Sequence, residues 1–406
     1  MSGNASIQNR DIVMVGLQPW DTSIGSNCKD VALEFSRNNR VLYVNYPLDR
    51  GTLIKNRKDP KVKKRMDIIR GKENAIVQLK ENLWNVYPDE IAESINWIPS
   101  EAIFTFFNKH NNKRLARSIR KAIKELGFTN IILFDDNDII RSFYLKELLA
   151  PTTSIYYYRD YILGVDYWKL HGTKLEPLLI EKSDLCITNS LHFATYCRKY
   201  NPNTFYAGQG CNLDMFANRN DLVIPDDIAH FTGPLIGYVG ALQSLRLSID
   251  ILAYIADEHP EWVIVLVGPE DEQFSVSDLH NRNNIYFTGA RDPELLPAYI
   301  NAFDICLNPQ LINEVTIGNY PRKIDEYLAM GKPVVATTTE LMTEVFSHYT
   351  YLGTTKEDYV ALIEQALRED SRQKQEERKA YAATHSWENH VEEIYKAIKI
   401  VEAERQ

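Results

Sequence analysis

Between Gly318 and Thr337 the chain reads GNYPRKIDEYLAMGKPVVAT, and the residue types in that stretch can hold a diphosphate. Pro321 suits the first position of a helix, and Gly331 suits the residue just past its end. Ile324, Tyr327 and Leu328 recur at i, i+3 and i+4 and form a stripe to be buried. That register puts Arg322 and Lys323 in the first turn, where the helix dipole is already positive. Two cations there cost about a few tenths of a kcal/mol unless an anion shares the site. Phosphate is the natural anion of such a place. Glu326, one turn on from Arg322, offers two acceptor oxygens to the diol of a ribose. The alternative is a surface Arg322–Glu326 pair worth about 0.3–0.5 kcal/mol.

The first half holds weaker candidates. GLQPWDTSIGSNCKDVA, from Gly16 to Ala32, joins a strand to a helix and puts Gly25, Ser26 and Asn27 at that helix's start. A plain turn and cap explain them as well. The stretch is neither the GxGxxG nor the GKS/GKT phosphate loop. Tyr158, Arg159 and Asp160 close another strand. An aspartate there can take the proton of an acceptor hydroxyl; it can equally cap a helix or pair with Arg159. Asp135, Asp136 and Asp138 are spaced like a metal or base cluster but read as a capping loop. His171 is the strongest histidine candidate, although a single histidine beside Gly172 reads as a loop residue. Tyr156, Tyr157, Tyr158, Tyr161 and Tyr167 cluster among 23 tyrosines. Aromatic faces pack on sugar rings, and about half of such side chains fill cores instead.

Positioning these residues takes strands that alternate with helices. Strand-like apolar runs begin at Asp11, Arg40, Ala75, Asn130, Ser154, Asp184 and Thr204, with helices over Lys113 to Leu126 and Leu191 to Tyr200. After the polar segment Asn218 to Pro234, further runs begin at Leu235, Trp262, Asn284, Asp304 and Pro333. Leu247, Ile251, Leu252 and Ile255 lie on one helical stripe between the first two of these. Continuous apolar strands alternating with helices specify parallel sheets covered on both faces. The pattern occurs twice, which divides the chain into domains over 1–220 and 221–385 with a terminal helix over 386–406. Doubly wound sheets bind ligands outside the carboxyl ends of their strands.

A length of 406 residues suits two domains. The net charge of −9 splits unevenly: residues 1–220 hold 31 Lys and Arg against 24 Asp and Glu, the remainder 15 against 31. The basic excess lies at Lys55 to Lys72 and Lys109 to Lys124. Such a field suits anionic lipid headgroups or a phosphorylated acceptor, and a solvated basic face accounts for it equally. Nucleic acid is disfavoured, because aromatics are not interleaved with the basic residues and the whole is acidic. No apolar run approaches the ~20 residues of a membrane span. MSGNASIQNR lacks the apolar core of a secretory signal. Cys28, Cys186, Cys197, Cys211 and Cys306 are odd in number and scattered, as reduced cytosolic thiols are.

The run Lys323, Glu326, Tyr327, Leu328, Ala329, Gly331, Lys332, Pro333, Val334, Val335 resembles the nucleotide-sugar motif of family 4-like glycosyltransferases, with a flavour of teichuronic-acid-type enzymes of bacterial surface polysaccharides. GCNLDMF (Gly210 to Phe216), GYVGAL (Gly237 to Leu242), PEWVIVLVGP (Pro260 to Pro269), Asn284 to Pro309 and HSWENHVEEI (His385 to Ile394) extend the resemblance over most of the second half and patches of the first. It implies a GT-B fold: two Rossmann-like domains facing across a cleft, with the last helix crossing back to the first. It further implies that the second domain binds a UDP- or GDP-type sugar. Gly240 would lie beneath the diphosphate, with Arg246, Arg322 and Lys323 neutralising it. Gly268, Pro269 and the loop from Gly289 to Arg291 would line the base, and Glu326 would take the ribose. Gly25, Ser26, Asn27, Tyr158 and Arg159 would face an acceptor glycan, free or lipid-linked, with Asp160 catalytic and no cofactor or essential metal. The protein would work in the cytoplasm, in contact with anionic membrane through its basic domain. One departure is specific: the acid expected eight positions before Glu326 is Gly318, with Glu314 nearby, which leaves the stereochemistry open. A nucleotide-sugar epimerase on the same fold, and a silent nucleotide-sugar-binding subunit, are the rival readings.

Overall fold

The computed structural model describes residues 7–22, 26–217 and 222–405. The chain divides into two compact units, Met1–Gly208 with Trp387–Gln406, and Gln209–Ser386.

The first unit is built on eight strands: β1 (Asp11–Gly16), β2 (Arg40–Val44), β3 (Ile76–Lys80), β4 (Leu83–Val86), β5 (Ile132–Asp136), β6 (Thr153–Tyr158), β7 (Leu185–Thr188) and β8 (Thr204–Tyr206). Their order is β3-β4-β2-β1-β5-β6-β7-β8. Central strands β1, β5 and β6 are buried at every position, as a sheet covered on both faces requires. The run from Ala75 is not one strand but an antiparallel hairpin of β3 and β4. The polar Lys80–Asn82 breaks it, and β3 remains the partly exposed edge.

The helix expected from Lys113 begins twelve residues earlier, at Glu101, and runs to Leu126. Its buried face reads Phe104, Asn108, Asn111, Asn112, Leu115, so asparagines stand where apolar residues would have shown the period. Each is used. Asn111 exchanges two hydrogen bonds with the backbone of Glu93. The Asn112 amide donates to the carbonyls of Asn108 and Ile140 and accepts from the N–H of Tyr144.

The terminal helix Trp387–Ala403 packs on the helix Asn27–Phe35 and on β7. Val391, Ile394, Tyr395, Ile398 and Val401 enter the first unit's core. Asn39 donates to Tyr395 Oη at 2.9 Å, and Glu402 takes Arg10 at 2.9 Å and Thr153 Oγ1 at 2.7 Å. His390 is buried, with Nδ1 3.0 Å from the carbonyl of Ala207.

The second unit's six strands are β9 (Leu235–Val239), β10 (Val263–Val267), β11 (Ile285–Gly289), β12 (Ile305–Asn308), β13 (Val334–Thr337) and β14 (Tyr351–Gly353). The order β11-β10-β9-β12-β13-β14 is wholly parallel. The chain winds outward one way from β9 and then the other way from β12, so those neighbours mark the switch point. Phe303 lies so close beneath β9 that a Cβ at Gly237 would stand 2.0 Å from its ring. The charged stretch ahead of Trp387 is helical, over Lys356–Glu369 and Arg372–Ala382. Residues 209–217, assigned to the first domain by the position of the polar segment, lie with the second unit. Cys211 is bonded there to the carbonyl of His385 at 2.9 Å.

Burial holds the His390 pKa down at about 4. The unfolded chain therefore takes up a proton near pH 6.5 that the folded chain refuses. Its contribution is full above that pH and is lost as pH falls toward 4, on the order of 3 kcal/mol in all. Urea denaturation between pH 7 and pH 4.5 should show this loss, and the slope should be shallower in His390→Gln.

Candidate functional site

Two glycines set the geometry where β9 and β10 end. Gly240 follows β9 with φ +143°, and Gly268 follows β10 with φ +152°. A Cβ on Gly268 would stand 2.0 Å from the Gly240 carbonyl oxygen. Gly240 N–H donates to Val267 O at 2.9 Å and Gly268 N–H to Gly289 O at 3.1 Å, so three strand ends are stitched in a row. Beyond them Leu242 N–H reaches Pro269 O at 2.8 Å, and Ser244 binds Asp271 through its N–H at 2.7 Å and its hydroxyl at 2.9 Å. On the other flank Leu311 N–H donates to Arg246 O and Ser248 N–H to Pro309 O, at 2.8 and 2.9 Å. The loop after β9 is thus laced to the loops after β10 and β12.

The helix carrying the basic pair runs over Lys323–Ala329, with Arg322 as its cap. Pro321 therefore precedes the cap instead of opening the helix. Ile324 N–H closes a tight four-residue turn on Pro321 O at 2.9 Å, and the wider helical ladder begins after it. Ile324, Tyr327 and Leu328 are fully buried, as their spacing demands. Tyr327 Oη accepts from Val239 N–H at 2.8 Å, which locks the helix to the end of β9. Asp325, also fully buried, meets His385 Nδ1 at 2.6 Å. Burial raises the Asp325 pKa and His385 opposes it. Neither residue stood out in the sequence, because an aspartate inside an amphipathic pattern reads as exposed.

Lys323 lies over the glycine turn. Its Cε is 3.3 Å from where a Gly240 Cβ would be, and its ammonium is 5.1 Å from the ring centre of Tyr238. Among the described residues neither Lys323 nor Arg246 has a carboxylate within 4.0 Å, and Glu326 accepts no hydrogen bond. The surface Arg322–Glu326 pair weighed above does not form. Burial raises the Glu326 pKa, against the opposing pull of Arg322 and Lys323. A desolvated carboxylate and a cation without a counter-ion, side by side, are costly unless a ligand completes them.

Gly289 ends β11 with φ +71°. Arg291 is engaged locally: Nη2 meets Asp227 at 2.6 Å and Nε donates to Tyr299 Oη at 2.8 Å, while that hydroxyl also bonds Asp227.

In the first unit Ser26 caps the helix Asn27–Phe35 through Lys29 N–H at 3.2 Å, and both Ser26 and Asn27 are buried. Gly25 lies outside the described residues. Tyr158 is buried in the core against Phe193 and Tyr196, which leaves no face for a ligand. Tyr156 and Tyr157 are buried too, whereas Tyr167 is exposed. Arg159 binds Asp136 at 2.7 Å and also grips Asp160, whose side chain stays half exposed. Burial works against the guanidinium's charge, but Asp136 and Asp160 outweigh it and raise its pKa. Asp138 caps the turn through Arg141 N–H and pairs with the Arg141 side chain at 2.6 Å. Burial, with Asp138 beside it, raises the Asp135 pKa. His171 sits in the helix Asp166–Lys182, not in a loop; it stacks on Phe104 and donates from Nε2 to Ile98 O at 2.8 Å. Among the described residues no three His, Cys, Asp or Glu side chains converge as metal ligands would.

Residues 233–369 match the family described as Glycosyl transferases group 1. The matched span contains all eight donor-side candidates, from Gly240 to Glu326. A curated relative named for teichuronic acid biosynthesis, the glycosyltransferase TuaH of Bacillus subtilis (strain 168), is 29% identical over 161 residues, 38% of this chain and 40% of that one. The chain thus spans about two fifths of the length of the curated relative it matches. Among solved structures, sucrose-phosphate synthase of Thermosynechococcus elongatus is similar over 98% of this chain and 99% of its own, at 16% identity and a TM-score of 0.63. Anabaena HepE in complex with UDP is similar over 96% and 99%, at 14% identity and a TM-score of 0.63. The fold of the chain is therefore GT-B.

Gly268→Ala should cost about 2 kcal/mol or more, because the new methyl meets a backbone oxygen at a φ that only glycine tolerates. Gly127→Ala, at φ +62° with open space around it, should cost about 1 kcal/mol. Urea midpoints of the two variants would rank them.

Proposed function

We propose that the chain is a glycosyltransferase that moves a sugar from a nucleoside diphosphate donor, UDP-linked first among the candidates, to a glycan or lipid-linked acceptor. The observation that carries this reading is the pairing of Lys323, without a counter-ion above the Gly240 turn, with the desolvated Glu326. In the reading, the diphosphate rests on that turn and Lys323, Arg322 and Arg246 neutralise the charge that grows on it as the glycosidic bond breaks. Glu326 accepts from the ribose hydroxyls. Gly268, Gly289 and Arg291 shape the wall on which the base lies, Arg291 by holding Asp227 and Tyr299 in place. Protein cations serve where a metal would, so chelator should leave transfer unaffected.

UDP is preferred because similar structures hold it: HepE has been solved with UDP and with UDP-glucose. Gly318, where an acid would contact the donor sugar, has no side chain to do so. The reading therefore gives Asp160 the role of base for the acceptor hydroxyl, with Arg159 holding its carboxylate, and inversion at the anomeric carbon. Likeness to TuaH supports a place in bacterial polysaccharide synthesis. Among the described residues no helix is long and apolar enough to cross a membrane, and the basic segments from Lys55 and Lys109 supply peripheral attraction to an anionic surface on the cytoplasmic face.

Calorimetry with UDP tests the site. Charge-assisted hydrogen bonds contribute about 1.5–3 kcal/mol each, so Lys323→Ala and Glu326→Ala should each weaken UDP at least tenfold, and transfer from UDP-glucose should fall with them. Full affinity in both variants would remove the assignment. Because burial raises the Glu326 pKa, acidification should weaken UDP at a higher pH than an ordinary glutamate would impose. Glu326→Gln should flatten that dependence.

A further inference from the structure

The helix Lys323–Ala329 has seven residues, too few to hold its own direction without anchors. What anchors it decides where Lys323 and Glu326 point. Toward its middle, Tyr327 is bonded to the N–H of Val239. Past its end, the Gly331 carbonyl accepts from Arg378 Nη1 at 3.0 Å, and Arg378 is itself buried and paired with Asp370 at 2.6 Å. Arg378 belongs to the helix Arg372–Ala382, which packs on the helix of the basic pair.

The start of the helix is held from the same segment. Just beyond Ala382 the chain sets His385 Nδ1 against Asp325 Oδ1, 2.6 Å away. The imidazole stands edge-on to Tyr381 and Phe346, with ring centres 4.8 and 5.6 Å apart, and Tyr320 Oη lies 3.4 Å from its Nδ1. His385 O accepts from Cys211 N–H at 2.9 Å, and the Cys211 thiol donates to the Arg322 carbonyl at 3.8 Å. Arg322, Asp325, His385 and Cys211 thus close a ring of contacts around the first turn.

A carboxylate and an imidazole bonded inside a core are a poor source of stability, because apolar side chains of similar volume do as well or better. What the contact adds is direction. A short charge-assisted bond fixes an angle, whereas apolar contact lets a short helix roll. Residues advance about 100° each around a helix, so Asp325 stands about 160° round from Lys323 and about 100° from Glu326. A roll that stretches the bond to Asp325 therefore carries Lys323, on the opposite side, away from the Gly240 turn it lies over.

We propose that His385 is a positioning residue of the donor site: through Asp325 it sets the rotation of the helix Lys323–Ala329, and so the places of Lys323 and Glu326, without touching the ligand. The inference rests on the reading of those two side chains as the groups that hold the diphosphate and the ribose.

Calorimetric titration of UDP into three full-length proteins tests it: the unaltered chain, Asp325→Asn, and Asp325→Val/His385→Leu. The apolar pair removes the directed bond and keeps the core filled, so its thermal midpoint should equal or exceed that of Asp325→Asn. Both variants, titrated where circular dichroism shows them folded, should bind UDP about fivefold more weakly or worse, within the range of indirect effects on a site. Hydrogen exchange supplies a readout that lost stability alone would not move. UDP should slow exchange of the Cys211 amide, bonded to His385, in the unaltered chain and leave it unchanged in both variants at saturating UDP. Full UDP affinity in the folded apolar pair, or equal protection of Cys211 in all three proteins, would overturn the role of His385 and leave the transferase reading standing. If the apolar pair does not fold, Asp325→Asn decides by the same two readouts. Failure of the unaltered chain to bind UDP would remove the transferase reading and the positioning role together.

Discussion

The second unit turns on one close approach: the backbone of Gly268 against the carbonyl of Gly240, nearer than any Cβ permits. Two adjacent parallel strands end together there, each turning out of the sheet through a conformation open only to glycine. Because neither residue has a side chain, the turn presents bare backbone where β9 and β10 end. The lacing from Ser244 to Asp271 and from Arg246 to Leu311 keeps it from relaxing. Tyr327, bonded to Val239, brings the helix with Lys323 and Glu326 to that same place. Remove the approach and the charges lose their common surface.

The two units treat their charges differently. At the strand ends of the first, Asp136, Arg159 and Asp160 satisfy one another, as do Asp138 and Arg141. Such a network rigidifies its loops and leaves little unspent. In the second, Lys323 and Glu326 lie one turn apart, and among the described residues neither has an ion-pair or hydrogen-bond partner for its side chain. The first unit's large exposed apolar side chains lie elsewhere, in the aromatic hollow around Trp97.

Much of this was legible in the chain. Apolar runs located the strands because parallel strands are buried on both faces, and the Ile324, Tyr327, Leu328 stripe fixed which way Lys323 and Glu326 face. Failures had physical causes. The helix from Glu101 hid behind buried asparagines that serve as backbone partners, so no hydrophobic period marked it. Pro321 suggested a helix start two residues early, because a tight turn on its carbonyl comes first. Arg291 looked available, and its partner Asp227 lies 64 residues away, where no local pattern connects them. Tyr158 stood at a strand end yet points into the core, since alternation along a strand decides the face before proximity to the end does. The hollow around Trp97 gave no signal at all, being assembled from residues as far apart in the chain as Leu17 and Leu170.

A crystal structure of the chain soaked with UDP bears most directly on the account. It predicts the diphosphate against the Gly240 turn, within about 3.5 Å of Lys323 Nζ, and the ribose hydroxyls on Glu326. UDP bound elsewhere, with Lys323 and Glu326 touching only water, would contradict it.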